Sequence, residues 1–271
     1  MRETAYAKVN LALHLRGRKP DGYHSLETVF AFAEDGDLIE VTEPREPGAI
    51  ELELSGSFAP LLAEEGDNLV LRAARALRAA YDANRGARLL LDKRLPIAAG
   101  IGGGSADAAA ALRLLVRWWG LPKEPERLHA IAEGLGADVP ACLLSRPARG
   151  EGRGDELRLI PTGHLSGAPM LLVNPGVSVA TGPVFQAWDG VDRGPLGSDL
   201  LGRNDLEAPA RRLVPEIGEV LAALEGAAFS GMSGSGATCL GLYSGVEARD
   251  AAAERIAAAQ PGWWQLRTRL R

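Results

Sequence analysis

The run Gly100-Ile101-Gly102-Gly103-Gly104-Ser105-Ala106-Asp107 sets four glycines and a hydroxyl directly ahead of an apolar helical stretch. Glycines without Cβ let successive backbone N–H groups converge on one concavity. The helix that follows adds unpaired amides and the positive end of its dipole. That is the physics of a polyphosphate cradle. The run lacks the Gly-Lys-Ser/Thr ending of the P-loop, and Ser105 stands where the dinucleotide fingerprint needs a glycine. A tight strand-to-helix turn, with Ser105 or Asp107 as cap, accounts for the same residues.

A second cluster is Phe229-Ser230-Gly231-Met232-Ser233-Gly234-Ser235-Gly236-Ala237-Thr238. It misses the hydrolase nucleophile elbow by one residue, because Ser235 occupies the second glycine position around Ser233. Small residues and hydroxyls there can wrap a substrate or close against phosphates; a flexible hairpin is the plainer account. The third element, Gly136-Ala137-Asp138-Val139-Pro140, offers one carboxylate after a helix-ending glycine. Asp138 is either an N-cap or an acid aimed at the cradle's ligand.

These clusters need elements to position them. Val9, Leu11, Leu13 and Leu15 alternate with Lys8 and Asn10, which predicts a strand with one apolar and one polar face. Lys19-Pro20-Asp21-Gly22 predicts a tight turn, and strands follow over 26–32, 37–42, 49–54 and 88–91. Helical spacing covers 68–82, 108–119 and 126–134. The polar, glycine-rich stretch 147–155 reads as a connection between two domains, 1–149 and 150–271. Beyond it come strands over 156–160, 170–174 and 238–243, with helices over 207–224 and 247–259. Strands arriving in runs point to an α+β fold in two lobes, mixed sheets covered by helices.

Composition narrows the chemistry. The 271 residues are 46% hydrophobic with a formal net charge of −5, so a packed core is expected and a general nucleic-acid binder is not. Two cysteines, Cys142 and Cys239, are too few for a disulfide framework or a multi-Cys zinc site. No apolar run approaches the roughly 20 residues of a membrane span. A cytoplasmic protein without a membrane partner is the expectation.

Taken together, in this order and spacing, the three clusters resemble the GHMP kinase superfamily. Ala7-Lys8-Val9-Asn10-Leu11, Asp21-Gly22-Tyr23-His24-Ser25-Leu26, Asp67-Asn68-Leu69-Val70 and Asn204-Asp205-Leu206-Glu207 narrow the resemblance to the branch acting on a cytidine-diphosphate-linked polyol. It runs from about residue 5 to residue 243. What it implies is an active site in the cleft between two lobes, the first domain carrying the ATP loop and catalytic residues and the second closing the substrate site. It implies transfer of the ATP γ-phosphoryl group to the 2-hydroxyl of 4-diphosphocytidyl-methylerythritol.

On that resemblance Asp138 is the base, and Lys8 steadies both Asp138 and the transferring phosphoryl. Asn68, Pro96, Ala98, Gly100, Gly102, Gly103, Gly104, Ser105 and Asp107 bind ATP, with Asn68 on the adenine. Tyr23 and Phe185 sandwich the cytosine, His24 reads its edge, and Asn10 takes the polyol hydroxyls. Thr181, Ser233, Gly234, Ser235 and Gly236 complete the acceptor side. Mg²⁺ is implied by phosphate chemistry, with no protein ligand assigned to it. Three positions depart from the usual pattern: Ser105-Ala106 for a Ser-Ser pair, Asp155 for Glu, and Cys239-Leu240 where an aromatic is common. Kinases of mevalonate-type alcohols or homoserine share the superfamily pattern, and a non-catalytic nucleotide- or RNA-binding module is the alternative outside enzymology. The acidic charge and the joint presence of Lys8 and Asp138 weigh against that last one.

Overall fold

The computed structural model describes residues 1–18, 22–62 and 68–271. Lys19, Pro20 and Asp21 of the expected turn, and Asp67 ahead of the first helix, lie outside the described residues. The chain forms two compact units from interleaved stretches. One gathers Met1–Ala7, Asp35–Ile97 and Gly102–Ser145; the other gathers Lys8–Glu34, Ala98–Ile101 and Arg146–Arg271. Two long strands, β1 (Arg2–Arg18) and β2 (His24–Thr42), contribute residues to both.

In the first unit β3 (Ile50–Ser55) runs parallel to β4 (Ala87–Asp92), and β4 pairs antiparallel with β2 from Leu38↔Asp92 to Thr42↔Arg88. The sequence predicts two strands where β2 is one. Glu34-Asp35-Gly36-Asp37 reads as a polar break, yet it stays extended because Gly36 is pressed against β1. A Cβ there would lie 1.9 Å from the Ala5 carbonyl oxygen, so only glycine passes.

Helix α1 (Leu69–Ala80) begins where Asn68 Oδ1 accepts the Val70 N–H at 2.8 Å, an N-cap bond. It buries Val70, Ala73, Ala74 and Leu77, the i, i+3, i+4, i+7 stripe, at about 1.5–3 kcal/mol for each of the larger side chains. Against it packs α2 (Gly103–Trp118), whose buried Ala108–Ala111 run lets the two helices approach closely. The start of α2 lies five residues ahead of the expected 108, because the poor helix formers Gly103 and Gly104 hide it from periodicity. Gly102, at φ +61, turns the chain into the helix. α3 (Pro125–Leu135) and the short α4 (Val139–Leu144) complete this unit.

In the second unit β1 is buried on both faces from Lys8 to Leu15. The face expected to be wet is not: Lys8 is 3% exposed and Asn10 4%. β2 pairs antiparallel with β5 (Ala148–Glu151), which turns back through a hairpin into β6 (Glu156–Leu159). The stretch 147–155 is therefore a hairpin, not a connection, with Gly152 and Gly154 at φ +71 and +94 in its turn.

The antiparallel sheet of this unit runs in the order β10-β7-β9-β8. Its members, in chain order with the intervening helices, are β7 (Pro169–Asn174), α5 (Thr181–Gln186), α6 (Glu207–Leu213), α7 (Glu216–Ala223), β8 (Phe229–Met232), β9 (Cys239–Leu242), α8 (Val246–Ala259) and β10 (Trp264–Arg269). The single helix expected over 207–224 is two, because Pro215 cannot donate to the helical ladder. Leu171 and Val173 of the sheet pack with Ile217, Val220, Ala253 and Ile256. The α+β class holds. Among the described residues no helix is long and apolar enough to cross a membrane.

Candidate active site

In the second unit a polar chain runs through the buried start of β1. Lys8 Nζ donates to Asn10 Oδ1 at 3.0 Å and lies 5.2 Å from the centroid of the Phe30 ring. Asn10 Nδ2 donates to Thr28 Oγ1 at 2.7 Å, and that hydroxyl donates to the Ala12 carbonyl at 2.7 Å. The Asn10 N–H donates to Ser233 Oγ at 3.1 Å, and Ser233 Oγ donates to the Gly100 carbonyl at 2.9 Å. A buried amine needs polar partners, and Asn10 is one. Asn10 is in turn oriented through both its amide and its backbone.

Two of the three clusters meet here, backbone against backbone. The segment 233–238 is the turn between β8 and β9, and a Cβ on Gly100 (φ +76) would lie 2.3 Å from the Ser233 carbonyl oxygen. A Cβ on Gly234 would lie 2.8 Å from the Gly100 carbonyl oxygen. The Thr238 N–H donates to the Ala99 carbonyl at 3.1 Å, and Asn204 Nδ2 donates to both Met232 and Gly234 carbonyls at 2.8 Å. The glycines thus serve close backbone approach rather than looseness. Ser233, fully buried, has its hydroxyl engaged in this lock. Ser235 Oγ sits 3.1 Å from Thr181 Oγ1 at the first residue of α5.

The aromatic residues lie at the start of β2. His24 is buried, its ring 5.1 Å from Phe185 and 5.6 Å from Trp188. Its Nε2 accepts from Arg18 Nε at 3.4 Å. Burial, helped by the Arg18 charge, lowers its pKa, so it is neutral at pH 7 with its proton on Nδ1. Tyr23 is 56% exposed and so is not packed in the core; the Arg153 guanidinium lies 5.2 Å from its ring centroid.

In the first unit the opening turn of α2 presents Gly103, Gly104 and Ser105. Its first amides have no acceptor within the helix, and Gly102 supplies no side-chain cap. This donor set fits phosphate oxygens. Asp107, expected in the cradle, is not in it. It is 2% exposed, and its Oδ2 accepts from the buried Lys93 Nζ at 2.7 Å. Lys93 also donates to Asp37, whose other oxygen accepts the Arg94 and Leu95 N–H groups at 2.6 and 2.8 Å. A full turn into the helix, Asp107 projects beneath it.

Burial pushes the Asp107 carboxyl up to about 8, with the Asp37 charge adding to the rise and Lys93 opposing it. Burial works against the Lys93 ammonium, but Asp107 and Asp37 outweigh it and hold its pKa above the ordinary value. Lys93 and Asp37 escaped the sequence reading, since Asp92-Lys93-Arg94 looks like a wet loop and nothing in its spacing signals burial.

Asn68 uses its Oδ1 for the α1 cap. Asp138 stands at the N-cap position of α4, yet its side chain makes no capping bond and it is half-buried, which removes the plain reading. α4 is held from its other end: Arg113 Nη1 donates to the Cys142 carbonyl at 2.7 Å and Ser145 Oγ at 3.1 Å, while Arg113 Nε binds Glu3 at 2.8 Å.

Comparison with known proteins places these features in context. Residues 68–146 match the GHMP kinases N terminal domain and residues 192–261 match GHMP kinases C terminal. The chain is 56% identical to the 4-diphosphocytidyl-2-C-methyl-D-erythritol kinase of Rhizorhabdus wittichii, over 99% of this chain and 94% of that one. It is 51% identical to the Novosphingobium aromaticivorans protein of the same name, over 100% and 93%. A crystal structure of 4-(cytidine 5'-diphospho)-2C-methyl-D-erythritol kinase superposes with a TM-score of 0.83 at 35% identity, covering 99% of both chains. The Methanococcus jannaschii mevalonate kinase shares the fold, with a TM-score of 0.74 at 11% identity over 100% of this chain and 98% of that one.

Proposed function

Because the chain belongs to the GHMP kinase family, and within it to the 4-diphosphocytidyl-2-C-methyl-D-erythritol kinases, we propose that it transfers the γ-phosphoryl group of ATP to the 2-hydroxyl of that cytidyl polyol. The product is the 2-phosphate, on the non-mevalonate route to isoprenoids. The observation that carries the reading is the uncapped, glycine-built opening of α2. Bare amides there can take the β- and γ-phosphates without displacing a side chain. The identity with kinases named for this acceptor supports it over mevalonate and homoserine.

Phosphoryl transfer through a loose transition state asks mainly for alignment and charge neutralisation. Gly102, Gly103, Gly104 and Ser105 hold the phosphates, while Gly100 and Ala98 fix the preceding loop. Asn68 Nδ2 meets the adenine beside Pro96. Asp138 accepts the proton of the attacking hydroxyl. Lys8, kept in place by Asn10, balances the negative charge of the transferring group. Mg²⁺, carried in on the ATP, would supply further neutralisation of the phosphate oxygens. Amides and the Ser105 hydroxyl, with no cluster of three His, Cys, Asp or Glu among the described residues, suit an ion borne by phosphates.

On the acceptor side Tyr23 and Phe185 stack on the cytosine, at about 0.5–1.5 kcal/mol per aromatic pair beyond area burial. His24, neutral, donates from Nδ1 to the base edge, and Asn10 meets the polyol. Thr181, Ser235, Gly234 and Gly236 line the acceptor, with Ser233 holding their turn in place. Cys142 and Cys239 are buried and not joined in a disulfide, in keeping with a cytoplasmic setting.

The test is acceptor choice. The purified chain with Mg-ATP is offered the cytidyl polyol, mevalonate and homoserine, with ADP release and ³¹P NMR as readouts. Only the first should be phosphorylated, at the 2-position; turnover of mevalonate or homoserine at a comparable rate overturns the reading.

A further inference from the structure

We propose that Arg153 is a positioning residue for Tyr23, and that the β5–β6 turn thereby sets how the acceptor's pyrimidine is received. The inference rests on the reading above that Tyr23 stacks on that base.

Tyr23 is the more exposed of the aromatic residues assigned to the acceptor, at 56%, whereas its neighbour His24 is buried against Phe185 and Trp188. A tyrosine half in water samples several rotamers, and each must be given up when a base stacks on it. Arg153 changes that. Its guanidinium lies 5.2 Å from the Tyr23 ring centroid, within cation–π range, and a planar guanidinium stacks on a ring face.

The arginine is itself fixed. Its Nε and Nη2 donate to Asp155 Oδ2 at 3.1 and 3.0 Å, and its backbone N–H donates to Asp155 Oδ1 at 3.2 Å. The turn that carries both is tied to β2, the strand that directly follows Tyr23. The Leu26 N–H donates to the Gly152 carbonyl at 2.9 Å, and Gly154 lies so near the Phe30 ring that a Cβ would come within 3.5 Å of it. From Phe30 through the turn to Asp155, Arg153 and Tyr23, each group fixes the next. The ligand this suits is a pyrimidine nucleoside diphosphate, whose base needs one flat, pre-set face.

The experiment is a double-mutant cycle on the full chain, with KM for acceptor and for ATP, kcat, and melting temperature for each variant. Arg153→Gln should raise acceptor KM about two- to fivefold, the range of an exposed cation–π contact, with ATP KM, kcat and melting temperature unchanged. Arg153→Lys should fall between the two, since the charge remains but the planar stack does not. Tyr23→Ala should raise acceptor KM further, and adding Arg153→Gln to it should change nothing more.

An unchanged acceptor KM in Arg153→Gln overturns the inference. So does an equal rise from Arg153→Gln in both backgrounds, which would mean that Arg153 acts on the acceptor directly. In either case Tyr23→Ala still raising acceptor KM leaves the acceptor reading standing. Tyr23→Ala with acceptor KM unchanged removes both.

Discussion

Lys93 Nζ donates to Asp107 Oδ2 at 2.7 Å, while Asp107 Oδ1 has no hydrogen-bond partner among the described residues. With its pKa up at about 8 against an ordinary 3.8, folded Asp107 keeps a proton that the unfolded chain has released between those values. Its contribution to stability is therefore full below pH 3.8 and declines as pH rises through 8. Asp107→Asn mimics the protonated group. Urea unfolding at pH 5 and pH 8.5 should show the decline in the parent chain and a flatter profile in the variant. Equal slopes would put the proton elsewhere.

Gly100 and Gly104 belong to one glycine run but should respond oppositely to a methyl group. At Gly100, φ is +76 and the new Cβ would meet two backbone oxygens of the β8–β9 turn, at 2.3 and 2.8 Å. Gly100→Ala should cost at least about 3 kcal/mol in denaturant titration. At Gly104 the nearest atom is Leu69 Cδ1 at 3.6 Å, so Gly104→Ala should fold as well as the parent chain. Its effect should appear as a raised ATP KM.

Ser233→Ala tests the lock from the other side. It removes the acceptor of the Asn10 N–H and the donor to the Gly100 carbonyl, at a cost of about 1–3 kcal/mol. If Ser233 bound the acceptor directly, stability would hold while acceptor KM rose.

Asp138→Asn keeps the shape of the side chain and removes the proposed base. The kcat should drop by about 10²–10⁴ with ATP and acceptor affinities kept, as read by calorimetry. A kcat within a few-fold of the parent would assign proton transfer to another group.

The sequence carried the chemistry better than the boundaries. Spacing alone placed Asn68 at the head of α1, and the local composition marked both glycine-rich turns. What it missed has physical causes. Gly36 looks like a turn but serves a close strand crossing, which no local pattern encodes. Gly103 and Gly104 look like loop and are helix, because low intrinsic propensity hides a helix start that the surrounding packing imposes. Lys93 and Asp37 are 56 residues apart and meet only after folding. Asp107, read as part of the cradle, instead accepts a hydrogen bond from the same Lys93. The stretch 147–155 hid its strand behind its own polarity, since β5 is too short to show period-two alternation, whereas its hairpin partner β6 was legible.

The interleaving of the two units bears on how the protein must be made. Lys8–Glu34 leaves the ribosome early, but the stretches it folds with include Arg146–Arg271, which is synthesised last. Nascent β1, which is buried on both faces once folded, must wait for most of the translation time, a state prone to mispairing. A fragment stopped near residue 149 would lack the material that completes this unit, so splitting the gene there should yield insoluble pieces rather than two working halves.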